Sequence, residues 1–130
     1  MKIRFAVADD AAFLRELIKN LVSSEGHVCV GEADNGDEAI RLVDRTLPDL
    51  IFLDMVMPIK NGLETAATIK ELHPDVKIIG CSTLDDQVMM QKAIQAGFDA
   101  YVVKPFTKEQ IINTIIKVLP QLGESTDGRI

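Results

Sequence analysis

Residues 49–58 read DLIFLDMVMP, and the fold hinges on this stretch. Leu50, Ile51, Phe52 and Leu53 form an unbroken apolar run, the pattern of a strand buried on both faces. Asp54 follows without a spacer. A carboxylate that extends such a strand is costly to desolvate unless a cation or hydrogen bonds meet it. Its position therefore calls for a chemical explanation.

Four more apolar runs flank this one: IRFAVA (3–8), VCVGEA (28–33), VKIIGCS (76–82) and AYVV (100–103). Stripes at helical spacing lie between and after them. Leu14, Leu17, Ile18, Leu21 and Val22 make the first, and Ala39, Ile40 and Val43 the second. Leu63, Ala66, Ala67 and Ile69 make the third, and Met89, Met90, Ala93 and Ile94 the fourth. Ile111, Ile115, Val118 and Leu119 make the last. Asn35 with Glu38, and Thr107 with Gln110, have the spacing of capping boxes. Pro48 and Pro74 punctuate helix-to-strand turns, and Gly97 ends the fourth helix. A strand–helix unit repeated five times predicts an α/β fold with a parallel sheet covered on both faces. One domain is expected over residues 1–120, with a flexible C-terminal tail over 121–130.

Composition narrows the function. The 130 residues carry a net charge of −6, which argues against direct nucleic-acid binding. No apolar stretch reaches the length of a membrane span, and the short apolar run after Met1 does not suit a signal peptide. Cys29 and Cys81 sit in apolar runs and are expected to be buried free thiols in a reducing cytoplasm. His27 and His73 are expected to be isolated loop residues.

Parallel strands all end on one edge, and ligands bind outside their carboxyl ends. Asp9 and Asp10 follow the first run, Asp54 the third and Lys104 the fifth, while Ser82 and Thr83 close the fourth. Each has a bland explanation alone: Asp10 could cap the first helix, and Lys104-Pro105 could be a turn. Together they bring three carboxylates, hydroxyls and an ammonium to one place. Two carboxylates about 4 Å apart repel by roughly 4 kcal/mol at an effective dielectric near 20. Lys104 offsets one charge, and a small divalent cation would offset two more. Oxygen ligands of this kind suit Mg²⁺. The same set fits phosphoryl chemistry, in which cations neutralise phosphoryl oxygens and a carboxylate attacks in line.

VADD (7–10), LDMVMPIKNG (53–62), CST (81–83) and YVVKPF (101–106) resemble the receiver domains of two-component response regulators. The likeness spans residues 2–120 and is greatest to single-domain chemotaxis regulators of the CheY type. It implies a doubly wound, flavodoxin-like (βα)5 three-layer sandwich with strand order 2-1-3-4-5. By resemblance, Asp54 is the phosphoacceptor and Lys104 the phosphoryl-binding lysine. Ser82 is the switch hydroxyl and Tyr101 the switch aromatic. Asp9, Asp10, Asp54 and the backbone carbonyl of Val56 hold Mg²⁺, for which Mn²⁺ can substitute. Pro58 and Gly62 shape the loop after the acceptor. The family usually has a very small residue where this chain has Thr83.

The implied function is a phosphorylation-activated switch, not a true enzyme. A sensor histidine kinase phosphorylates it, and it then binds a downstream target protein, as in chemotaxis. An alternative is a receiver excised from a longer multidomain regulator such as a transcription factor. A phosphatase would want a second acid where Val56 stands, and a flavin protein would want a phosphate loop in place of DDAAFLR. A receiver-shaped scaffold that is never phosphorylated is the remaining competitor. Val56, Thr83 and Leu84 are expected to shield the acyl phosphate from water and lengthen its life. Met90, Tyr101, Ile112 and Ile116 are candidates for a partner face or a phosphorylation-dependent homodimer.

Overall fold

The structure, a computed structural model, describes residues 2–83 and 87–120. Among these, five strands alternate with five helices: β1 (Arg4–Ala8), α1 (Ala12–Ser23), β2 (Val28–Ala33), α2 (Gly36–Thr46), β3 (Leu50–Asp54), α3 (Gly62–Leu72), β4 (Lys77–Ser82), α4 (Gln87–Ala96), β5 (Ala100–Val103) and α5 (Lys108–Val118). The sheet is parallel with order β2-β1-β3-β4-β5. Chain order reverses between β1 and β3, and this is where such sheets open a crevice beyond their strand ends.

The apolar runs are unbroken because each central strand faces two cores. Side chains alternate across the sheet. Leu50 and Phe52 point to one side, with Phe5, Val7, Ile18, Val22, Ile111 and Ile115. There the Phe5 and Phe52 rings meet edge to face, 6.1 Å between centroids. Ile51 and Leu53 point to the other side, with Ala6, Ala39, Leu42, Val43, Ala66, Ile69, Ile78 and Ala93. Helices α1 and α5 thus cover one face, and α2, α3 and α4 the other. All five residues of β3 are buried, Asp54 included.

The helix ends follow from local chemistry. Thr107 and Gln110 form a complete capping box at α5. Asn35 caps α2 in one direction only: its side chain accepts from the Glu38 amide, while the Glu38 carboxylate turns to Arg41. Asn61 caps α3 through the Glu64 amide, a signal that the sequence carries at the same spacing. Gly97 ends α4 at a φ of 112°, a left-handed conformation that a side chain would strain.

Several expectations are corrected. The N-cap of α1 is Ala11, with no side-chain hydrogen bond, so Asp10 is not a helix cap. Cys29 is half-buried because β2 is an edge strand, whereas Cys81 is fully buried; both are free thiols. The histidines lie in loops but are not isolated. His27 Nδ1 accepts from the Ile3 amide, and His73 Nε2 lies 2.6 Å from Asp44 Oδ1. Leu17, Ala67 and Ile94 leave their helical stripes for solvent, Ile94 at 70 % exposure. No helix among the described residues is long and apolar enough to cross a membrane. Leu84 and the expected tail at 121–130 lie outside the described residues.

Candidate functional site

Register brings the acids together. Ala8 pairs with Leu53 across β1 and β3, so the next residues, Asp9 and Asp54, emerge side by side at the crevice. Asp54 in turn pairs with Cys81, and Ser82 with Val103, which sets the ends of β4 and β5 beside them. The Lys104 amide donates to the Ser82 carbonyl at 2.7 Å and fixes the start of the lysine turn. The Lys104–Pro105 peptide bond is cis.

Asp9 is the most firmly held member. Its amide donates to the Ala33 carbonyl at 3.0 Å. Its Oδ1 accepts from the Ala11 amide at 2.9 Å, and its Oδ2 from Lys104 Nζ at 2.9 Å. Asp54 is held more loosely. Its Oδ1 accepts from the Val56 amide at 3.3 Å and its Oδ2 from Lys104 at 3.4 Å, both near the long limit of a hydrogen bond. Asp54 is nonetheless only 6 % exposed. Its carboxylate is thus buried but weakly engaged, with lone pairs left for another partner.

The electrostatics agree. Burial pushes the Asp54 pKa up, and the neighbouring Asp9 charge adds to the rise against the opposing pull of Lys104. For Lys104, burial works against the ammonium, but the hydrogen bond to Asp9 and the charges of Asp54 and Asp9 outweigh it and raise its pKa. The lysine therefore stays charged. Cys81, behind the site, is pushed up to about 12 by burial and remains a thiol.

Asp9, Asp10 and Asp54 each offer an oxygen, all within 4.8 Å of one another. Three carboxylates face one ammonium. The donors are hard oxygens, and the charge deficit matches one small divalent ion. The residues present fit Mg²⁺, and they fit no soft metal.

The remaining expected residues lie on β4, β5 and α5 and in the segments after β3 and β4. Ser82 is buried at the end of β4, and Thr83 is exposed just beyond it. Tyr101 is half-buried beside Phe98, packed over Gly80 of the next strand. Val56 is 60 % exposed. Gly62 is required by close approach. Its amide closes the loop after Asp54 on the Met55 carbonyl at 2.9 Å, and a Cβ there would overlap the Asp54 carbonyl oxygen and lie 2.6 Å from Met55 Cα. Ile112 is half-buried and Ile116 is 38 % exposed, whereas Ile111, Ile115, Val118 and Leu119 are buried. The second pair of isoleucines is thus off the core stripe.

Two residues were not anticipated. Arg15 of α1 donates from Nη1 to the Asp9 carbonyl at 2.7 Å, and Glu32 of β2 accepts from Arg15 Nε at 3.1 Å. Only the folded arrangement of β1, α1 and β2 brings them together.

Comparison with known proteins agrees with this geometry. Chemotaxis protein CheY of Thermotoga maritima is 36 % identical over 115 residues, 88 % of this chain and 96 % of that protein. Chemotaxis protein CheY of Bacillus subtilis is 37 % identical over 119 residues, 92 % of this chain and 99 % of that one. A two-component response regulator of the LuxR family from Aurantimonas sp. SI85-9A1 superposes with a TM-score of 0.88 at 26 % identity, covering 93 % of this chain and 87 % of its own. Residues 5–116 match the response regulator receiver domain, and with three acids and a lysine gathered at the switch point of a 2-1-3-4-5 sheet, the chain belongs to that family.

Proposed function

We propose that this receiver takes a phosphoryl group from a phosphohistidine of a sensor histidine kinase onto Asp54, and that the acyl phosphate switches its surface. The observation that carries this is the buried, weakly engaged Asp54 carboxylate beside Asp9, Asp10 and Lys104. Receiver domains are signalling regulators, not classical enzymes. A cytoplasmic protein that does not insert in membranes or bind nucleic acid directly suits the acidic composition.

Asp9, Asp10, Asp54 and the Val56 carbonyl would hold Mg²⁺, with Mn²⁺ as a substitute. When bound, the ion would neutralise charge on the phosphoryl oxygens. An Asp54 oxygen forms the new O–P bond in line as the donor's P–N bond breaks. The departing ring keeps the electron pair and leaves as neutral imidazole, its other nitrogen protonated. Burial raises the basicity of the Asp54 carboxylate and so strengthens it as a nucleophile. Lys104 supplies a fixed positive charge to the phosphoryl oxygens. After transfer, the Ser82 hydroxyl donates to the phosphoryl group and Tyr101 fills the space vacated, shifting a pre-existing equilibrium between two surfaces.

Incubation with Mg²⁺ and acetyl phosphate should add one phosphoryl group to the intact mass, and Asp54→Asn should add none. Equal uptake by Asp54→Asn would refute the assignment.

The output surface is α4, β5 and α5, where Met90, Tyr101, Ile112 and Ile116 would meet a downstream target or a second phosphorylated copy. Ile112 and Ile116 lie off the buried stripe of α5, so they are available to a partner. Changing both to threonine should cost less than about 1.5 kcal/mol of stability while weakening association of the phosphorylated protein. A collapse of the fold would show that they belong to the core.

The lifetime of the acyl phosphate should be long. By the resemblance Val56 flanks the approach of water, and its side chain cannot orient it by hydrogen bonding; Thr83 adds bulk. Val56→Asn should speed loss of phosphate several-fold, followed as decay of the phosphorylated mass. Unchanged decay with Mg²⁺ binding intact would remove Val56 from this role.

A further inference from the structure

Arg15 and Glu32 stand outside the set of groups that would touch a phosphoryl group, yet they are built into the acidic site. Arg15 is largely buried, its side chain 19 % exposed, and its guanidinium is shared between two acceptors. Nη1 donates to the Asp9 carbonyl at 2.7 Å, and Nε meets Glu32 Oε1 at 3.1 Å. The other Glu32 oxygen accepts from Lys19 Nζ at 3.1 Å, and Lys19 also reaches Glu16 at 3.2 Å. A chain of alternating charges on α1 and β2 thus ends on one backbone oxygen in the acidic turn.

That oxygen has leverage. The Asp9 carbonyl and the Asp10 amide belong to one rigid peptide plane. Fixing the oxygen fixes the plane from which Asp10 springs. Asp10 is the exposed member of the acidic trio, so its backbone has most of the work of aiming its carboxylate. Asp9, by contrast, is already tied through its amide and both carboxylate oxygens.

We propose that Arg15, oriented by Glu32, is a positioning residue that aims Asp10 and thereby sets the affinity of the acidic site for a divalent cation. The proposal rests on the assignment of Asp9, Asp10 and Asp54 as a Mg²⁺ site. Its sign is unexpected on electrostatic grounds. A guanidinium beside the site repels an incoming cation, so removing its charge should by itself tighten binding. Removing its hydrogen bond to the peptide plane should loosen binding. The fork is also specific, because the ammonium of a lysine cannot hold both acceptors in the same planar geometry.

The test is calorimetric titration of Mg²⁺ into the metal-free full chain, with circular dichroism to verify folding and Asp10→Ala as the reference for lost binding. Arg15→Ala should raise the Kd for Mg²⁺ three- to tenfold, and Arg15→Lys at least twofold although the charge is kept. A merely structural role would lower the melting temperature in chelator and leave the Kd of the folded protein unchanged. Unchanged or tighter binding in Arg15→Ala overturns the proposal while the metal site stands. Should that variant not fold, unchanged or tighter binding in Arg15→Lys has the same force. Failure of the wild type to bind Mg²⁺ would overturn both this proposal and the metal assignment beneath it.

Discussion

Gly62→Ala is expected to cost about 3 kcal/mol of stability or more, at or above the upper end of the usual penalty for overpacking. The reason is contact with main chain. A Cβ at this position would overlap the Asp54 carbonyl oxygen and press on Met55 Cα at 2.6 Å. Neither atom can rotate away as a side-chain tip could. The Gly62 amide is also bound to the Met55 carbonyl at 2.9 Å, so relief by moving the glycine breaks the bond that closes the loop. Urea or thermal unfolding would measure the effect, with a fall in melting temperature of roughly 10 °C for a chain of this size. Because the backbone displaced is that of Asp54 itself, phosphoryl uptake should fall with stability. A loss below about 1 kcal/mol would mean that the loop is far softer than its contacts imply.

Lys104→Ala should remove on the order of 3 kcal/mol at neutral pH in chelator, the usual scale for stranding buried charge by deleting its partner. Lys104 is the ammonium bonded to both Asp9 and Asp54, whose side chains are 2 % and 8 % exposed. The pH dependence has a definite sign. The folded pKa of Asp54 lies above its ordinary value, chiefly through burial and then through the Asp9 charge. The folded state therefore binds that proton more tightly than the unfolded chain does. Stability from this group is gained as pH falls through the raised pKa and lost as pH rises above it. Deleting Lys104 takes away an interaction that holds the pKa down, so the defect should be largest at neutral pH and shrink in mild acid. Lys104→Ala combined with Asp54→Asn should recover part of the loss, the rest belonging to the shorter bond to Asp9. A loss independent of both pH and Asp54 would show that the lysine stem contributes packing instead.

The central strands β1, β3 and β4 were legible because burial on two faces writes itself as unbroken apolar runs. The partly exposed edge strands β2 and β5 were legible from their short apolar runs, which they match residue for residue. The acidic site was legible because all parallel strands end on one edge, so position in the chain translates directly into position in space. What escaped is what depends on rotation or distance. Spacing alone does not say how far round a helix the core extends, and so Leu17 and Ile94 were placed in stripes that they leave. Pairings between remote segments have no local signature. His73 with Asp44 is one example, and the Asp99 carboxylate that accepts the Ile78 amide at 2.8 Å is another. Ile59 was equally hidden. It is an exposed β-branched residue at a φ of 71°, and nothing in MPIKNG marks the left-handed turn.

The Lys104–Asp9 bond joins residues 95 positions apart, and Lys104–Asp54 joins residues 50 apart. During synthesis the acidic trio is complete long before its ammonium leaves the ribosome. A nascent chain or a proteolytic fragment ending before β5 carries Asp9, Asp10 and Asp54 but lacks their counter-charge. It also lacks the Ser82–Lys104 backbone bond that ties the ends of β4 and β5. Such a fragment presents mutually repelling acids on an unfinished sheet edge. A fragment ending before β5 is therefore expected to take up no phosphoryl group from acetyl phosphate, whereas one that extends through α5 should.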